Sequence, residues 1–142
     1  MSYTKNFIHF TWATYDRIRF LNQDNRTLMA EHIRNYAKKK SICLLALNVQ
    51  PDHVHSLISV LPEQCCATIM NLIKGESSFW ANRNFKLRQN FAWQDDYFAI
   101  SVSPGNLDLV LRYIDHQDEH HKKKSFQDEY NLFVSQYFSD LG

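Results

Sequence analysis

Hydrophobic positions along the chain change period several times, and each change marks an element. Residues 6–14, NFIHFTWAT, are β-branched and aromatic and predict a first strand. DRIRFL then leads into a turn at NQDN. From Asp24 or Asn25 as N-cap, Met29, Ile33, Tyr36 and Ala37 recur at helical spacing. Lys38, Lys39 and Lys40 close this first helix where its dipole favours cations. ICLLALNV, residues 42–49, is apolar on both faces and predicts a second strand inside a sheet. Pro51 and Asp52 form a tight turn into a third strand, within QPDHVHSLISV, residues 50–60. Its alternation points His53, His55 and Leu57 one way and Val54, Ile58 and Val60 the other. After Pro62, residues 64–82 predict a second helix carrying Ile69, Met70, Ile73 and Trp80. Residues 83–95 mix Arg83, Lys86 and Arg88 with Phe85, Phe91 and Trp93 and predict a loop with a stacking role. A fourth strand at 97–103, a turn at SPGN, and a third helix from about Leu107 to about His121 follow, the helix striped by Leu107, Val110, Leu111 and Ile114. The remainder predicts a short terminal helix.

The order β, α, β, β, α, β, α is that of the split βαβ unit. The fold class expected is α+β: a two-layer, ferredoxin-like antiparallel sheet with helices on one face and a further C-terminal helix. A chain of 142 residues is one domain's worth, so residues 1–142 are expected to form a single domain.

Composition narrows the partners. A formal net charge of +1 excludes coating nucleic acid by bulk charge, so any phosphate contact must come from local clusters. Arg17, Arg19, Lys74, Arg83, Lys86 and Arg88 are the candidates. The odd cysteine count, Cys43, Cys65 and Cys66, provides no disulfide framework and fits a reducing, cytoplasmic compartment. Lys5, His9, Asp16, Arg17 and Arg19 interrupt the first twenty residues, so no signal peptide is expected there, and no apolar run reaches membrane-spanning length.

His53 and His55 place two imidazoles on a surface that ordinarily wants hydrophobes. An isolated H-x-H pair is most often two hydrogen-bonded histidines, but two imidazoles on one strand face can also bind one divalent ion. Two ligands are an incomplete set. On the third helix, Tyr113 and Gln117 lie one turn and about 40° apart, on the flank of the apolar stripe. If that helix packs near the central hairpin, Gln117's carbonyl oxygen completes a site and Tyr113's hydroxyl lies beside the ion. Two imidazoles and an amide oxygen with open positions suit a hard cation handling phosphate, Mg2+ or Mn2+, better than a closed structural zinc site. A phenol, ordinarily ionising near pH 10, is favoured as phenolate beside such a charge.

PDHVHSLISV resembles the histidine, hydrophobe, histidine (HUH) motif of single-tyrosine nucleases. WQDDYFAISVSPGNLDLVLRYIDHQDEHHKKKSFQDEY resembles the C-terminal half of transposases of the insertion-sequence 200/605 type, with likeness reaching back to HFTWAT. H-x-H alone is weakly specific; followed at this distance by RYIDHQ it is far more so. The resemblance implies that His53 and His55 are metal ligands, Gln117 the third ligand, and Tyr113, on the C-terminal helix, the catalytic nucleophile. It implies cleavage of single-stranded DNA, at hairpin ends of the element, through a 5′-phosphotyrosine link that a later strand resolves without ATP. It also implies homodimers with composite active sites. Asp96 stands where many relatives are expected to carry glycine.

Two other readings compete. HQDEH, residues 116–120, fits the H-x-x-E-H pattern of inverted zinc metallopeptidases, but lies late in the chain and leaves His53 and His55 unexplained. A non-catalytic single-stranded nucleic-acid-binding module would stack bases on Trp12, Phe91 and Trp93, although aromatics in a chain this rich in them more often form core. His120 also falls on the Tyr113 flank and is expected near the site.

Overall fold

The computed structural model describes residues 3–118. Its elements follow the expected order: β1 (Phe7–Ala13), α1 (Gln23–Lys39), β2 (Cys43–Val49), β3 (His53–Ser59), α2 (Cys66–Asn84), β4 (Phe98–Val102) and α3 (Leu107–Asp115), with short 3₁₀ turns at Tyr15–Arg17 and Pro104–Asn106. The four strands form an antiparallel sheet in the order β2-β3-β1-β4. The α+β split βαβ architecture read from the pattern is therefore the fold.

Alternation along β1 and β3 divides the molecule. Ile8, Phe10 and Trp12 of β1 and Val54 and Ile58 of β3 enter the main core with Met29, Ile33 and Ala37 of α1 and Ile69, Met70 and Ile73 of α2. The opposite sheet face carries a smaller cluster, in which Ala46, Leu57 and Val102 meet Ile114 of α3. Helices α1 and α2 thus form the second layer on one face, while α3 covers the other. That other face of β1 and β3 also carries His9, Thr11, His53 and His55. Burial on both sides explains why β3 is inaccessible from His53 to Ile58.

Two local readings differ from the structure. Helix α1 starts two or three residues earlier than expected, because the Asn22 side chain, not Asp24 or Asn25, caps it by accepting from the Asn25 amide at 2.8 Å. Strand β2 is an edge strand, not an internal one. Its apolar residues face α1 on one side and α3 on the other, so burial by helices mimics the signature of a central strand. A register shift between Leu44 and Ala46 leaves Leu45 exposed. Helix α3 spans Leu107–Asp115, the His116 ring nitrogen and backbone amide both donate to the Arg112 carbonyl, and helical backbone resumes at Gln117 and Asp118, so the end expected near His121 lies outside the described residues. The residues beyond 118, including Glu119, His120 and the expected terminal helix, lie outside the described residues.

Among the described residues no helix is long and apolar enough to cross a membrane. Ile33 is almost fully buried between α1 and the sheet. Ile33→Val is expected to cost about 1 kcal/mol, the usual penalty for removing one buried methyl group. A lowered urea midpoint at unchanged slope checks it.

Candidate active site

Register brings the site together from three elements. Thr11 pairs with His55, Ala13 with His53, and His9 with Leu57, so the side chains of His9, Thr11, His53 and His55 share one surface across two neighbouring strands. His53, His55 and His9 are all nearly inaccessible to solvent. The His53 and His55 rings lie with centroids 5.1 Å apart and nearly perpendicular.

Each of these imidazoles is held at its Nδ1 edge. His53 Nδ1 donates to the Asp52 carboxylate at 2.8 Å, a bond prepared by the Pro51–Asp52 turn. Burial alone would raise the Asp52 carboxyl, but the His53 hydrogen bond and charge, with Arg19 beyond, outweigh it and hold the group below the usual carboxylate value. His55 Nδ1 lies 3.1 Å from His9 Nε2 and 3.2 Å from Thr11 Oγ1. Restraint at Nδ1 leaves Nε2 of both histidines as the atom with which each would meet a cation, the usual way in which outer hydrogen bonds orient imidazole ligands.

Burial lowers His9 from its ordinary 6.5 to about 4, so it is neutral at physiological pH. The unfolded chain binds a proton at His9 between these values and the folded chain does not, so stability present above pH 6.5 is lost as pH falls toward 4. In metal-free protein this contribution approaches about 3 kcal/mol. Urea titrations at neutral and acid pH check it, with His9→Asn expected to flatten the dependence.

Helix α3 supplies the remaining groups. The Tyr113 ring is half-buried, 5.9 Å from the His55 ring and 6.2 Å from the His9 ring, centroid to centroid. Gln117 is completely buried. Its Nε2 donates to the Tyr113 carbonyl at 3.0 Å, which fixes the amide's orientation, and its Oε1 is buried with no hydrogen-bond partner. The next residue anchors this end of the helix: Asp118 accepts from Gln50 at 2.8 Å and from Arg26 at 2.9 Å, while the Gln50 amide bonds the His53 carbonyl at 2.8 Å.

These groups fit a divalent cation. An unsatisfied buried carbonyl oxygen costs about 1–3 kcal/mol, a penalty that a cation would remove. Among the described residues no three His, Cys, Asp or Glu side chains form a metal cluster, so a cation bound by His53 and His55 would draw its third protein donor from the amide of Gln117.

From residue 2 to residue 117 the sequence matches the family described as "Transposase IS200 like". The chain belongs to the IS200-like transposases. This transposase is similar to the ISDra2 transposase TnpA of Deinococcus radiodurans, at 26% identity over 119 residues, spanning 78% of this chain and 83% of that one. Its fold is similar to the crystal structure of a chain assigned as a transposase from Deinococcus radiodurans R1, with TM-score 0.68 and 26% identity, covering 82% of this chain and 95% of the other. It is also similar in fold to a REP-associated tyrosine transposase bound to a REP hairpin, with TM-score 0.65 and 16% identity, covering 85% and 72% of the two chains.

The basic residues of the transposase divide. Arg19, Arg83, Lys86 and Arg88 are exposed and Arg17 is half-buried, while Arg83 also lies over the Phe79 ring, 5.4 Å from its centroid. Lys74 is engaged otherwise: its ammonium donates to the carbonyls of Gln94, Asp95 and Asp96 at 2.6, 2.9 and 3.2 Å. With its three protons used on one loop, Lys74 is a clamp in this conformation and not a phosphate grip. Trp12, Phe91 and Trp93 are buried against one another, and Trp93 Nε1 donates to Ser77 at 2.8 Å. They are core, the commoner role of aromatics in a chain this rich in them, and not a base-stacking platform. Sequence reasoning passed over His9, Thr11 and Asp52. For the first two, the available signal was period-two alternation within HFTWAT, which sets them on one face of a strand, as in HVH.

Proposed function

We propose that this transposase cleaves and rejoins single-stranded DNA through a covalent link to Tyr113, using Mg2+ or Mn2+ held by His53, His55 and Gln117. The observation that carries the reading is the placement of the Tyr113 ring against His55, in a site where the buried Gln117 oxygen has no hydrogen-bond partner. When bound, the cation polarises the scissile phosphodiester and favours the phenolate. Tyr113 Oη forms a bond to phosphorus as the bond to the 3′ oxygen breaks. The phenolic proton passes to water, and the departing oxygen takes up a proton to become a free 3′-hydroxyl. The 5′-phosphate stays on Tyr113 as an aryl diester that conserves the energy of the cleaved bond. Attack by a 3′-hydroxyl then reseals a strand and regenerates the phenol.

His53 and His55 are held in orientation by Asp52 and by His9 with Thr11, so the residues binding the cation need little rearrangement. Arg17, Arg19, Arg83, Lys86 and Arg88 are the proposed phosphate contacts, and the substrate is the hairpin-bearing end of the element, handled by a homodimer. Incubation with such single-stranded ends and Mg2+ tests the reading. A protein–DNA band resistant to denaturation is expected, and its absence with the proper DNA refutes covalent chemistry.

A further inference from the structure

Across β1 from the histidines, a groove of about 340 Å³ opens between two walls. One wall is the end of β1 and the turn through Asp16 and Arg17, and the other runs from Gln94 to Phe98. Thr11 lines it, and the same Thr11 hydroxyl lies 3.2 Å from His55 Nδ1, so the groove begins where the proposed active site ends.

The walls are joined before any ligand arrives. Thr14 bridges to Trp93, the Tyr15 amide donates to the Ala92 carbonyl at 2.9 Å, and the Gln94 amide donates to the Ala13 carbonyl at 2.8 Å. At the rim the Asp16 amide donates to Gln94 Oε1 at 3.2 Å, and Lys74 grips the backbone carbonyls at 94–96. Asp16 and Arg17 both adopt left-handed backbone, at φ 52° and 55°, a conformation that non-glycine residues seldom hold and that cross-linking here maintains. A rigid concavity of this volume with a few convergent polar groups has the character of a ligand pocket.

Its charges identify the kind of ligand. Two carboxylates, Asp16 and Asp96, line it with one guanidinium, Arg17, and the Lys74 ammonium lies close enough to Asp96 to interact with its charge, so no surplus of positive charge marks the groove for a phosphate. It suits a flat, neutral ring: Tyr97, 37% exposed, presents an aromatic surface, and a carboxylate accepts a hydrogen bond from an exocyclic amine. We infer that the groove receives one unpaired DNA base close to the scissile phosphate, and that Asp96 selects adenine or cytosine over thymine by accepting from the ring's amine. The inference rests on the reading of the protein as a single-stranded DNA enzyme. In this arrangement the backbone passes outside the groove, from Arg17 toward the histidines, with the base turned in.

The test uses fluorescein-labelled 12-nucleotide homopolymers of deoxyadenosine, deoxycytidine and thymidine, with chelator present so that nothing is cut. Binding is measured by anisotropy. Wild type is expected to bind the adenine and cytosine strands at least tenfold more tightly than the thymine strand. Asp96→Ala is expected to bring the three within about twofold while leaving thymine binding unchanged. The Asp96 side chain is exposed, so the variant is expected to melt as wild type does. Equal binding of all three strands by wild type, or a preference that survives Asp96→Ala, overturns the groove assignment while leaving the enzyme reading in place. Failure of wild type to bind any of the three strands while it still binds a hairpin-bearing end of the element overturns the groove assignment alone; failure to bind that end as well removes the single-stranded DNA reading, and the groove's role with it.

Discussion

Tyr113→Phe is expected to eliminate the covalent protein–DNA band and lower strand cleavage by at least about a thousandfold, the scale of losing a nucleophile for which no other group substitutes. The substitution removes one oxygen and keeps the ring, so the contacts with His55 and His9 that seat this part of α3 persist. The Gln117 side chain bonds the residue's backbone carbonyl, which the substitution does not touch. Folding and metal binding are therefore expected to stay close to wild type, and a gel of denatured reaction products isolates the chemical step. A variant that still forms the band with full yield identifies another tyrosine as the nucleophile.

The second large effect is expected in metal binding. Replacing both His53 and His55 by asparagine removes the two nitrogen donors and is expected to weaken Mn2+ binding by more than about a thousandfold. Even outer-shell partners of such ligands are worth 10–100-fold. Titration followed by the loss of the free Mn2+ paramagnetic resonance signal reads this without reference to activity. Both histidines are buried, so the double variant is compared with Gln117→Leu, which removes only the amide oxygen. Weakened binding in that variant, with an unchanged urea midpoint, places Gln117 in the donor set; unchanged binding removes it. Imidazole nitrogen binds Mn2+ more readily than the harder Mg2+, so Mn2+ is expected to bind the wild type more tightly.

The parts of this architecture that were legible in the sequence are those set by local periodicity. The facing of His53 and His55 followed from alternation alone, and the register with Thr11 and Ala13 bears it out. The apolar stripe of α3 located that helix, and its packing beside β2 and β3 through Ala46, Leu57 and Ile114 brings Tyr113 to His55. Sheet position was less legible. Strand β2 shows apolar residues on both faces because helices cover both, and a run of seven residues does not distinguish that from strands on both edges. Polar relays were least legible: the contact between His9 and His55 joins residues 46 positions apart and depends on two strands meeting in one register. The same holds for Asp118, whose partners Arg26 and Gln50 lie on other elements.

Aromatic residues illustrate the opposite difficulty. Trp12, Phe91 and Trp93 have the composition of a base-stacking platform, yet the loop carrying Phe91 folds back through Asn82, which both donates to and accepts from its backbone. That closure buries the rings and leaves half-exposed Tyr97 at the groove.

The central claim is that the Tyr113 oxygen carries the cleaved strand. Mass spectrometry of the trypsin-digested covalent adduct tests it most directly, because cleavage after Arg112 and Lys122 yields a peptide whose sole tyrosine is Tyr113. The account predicts that the nucleotide remnant is found on that peptide. A remnant found on any other peptide, with this one unmodified, contradicts it.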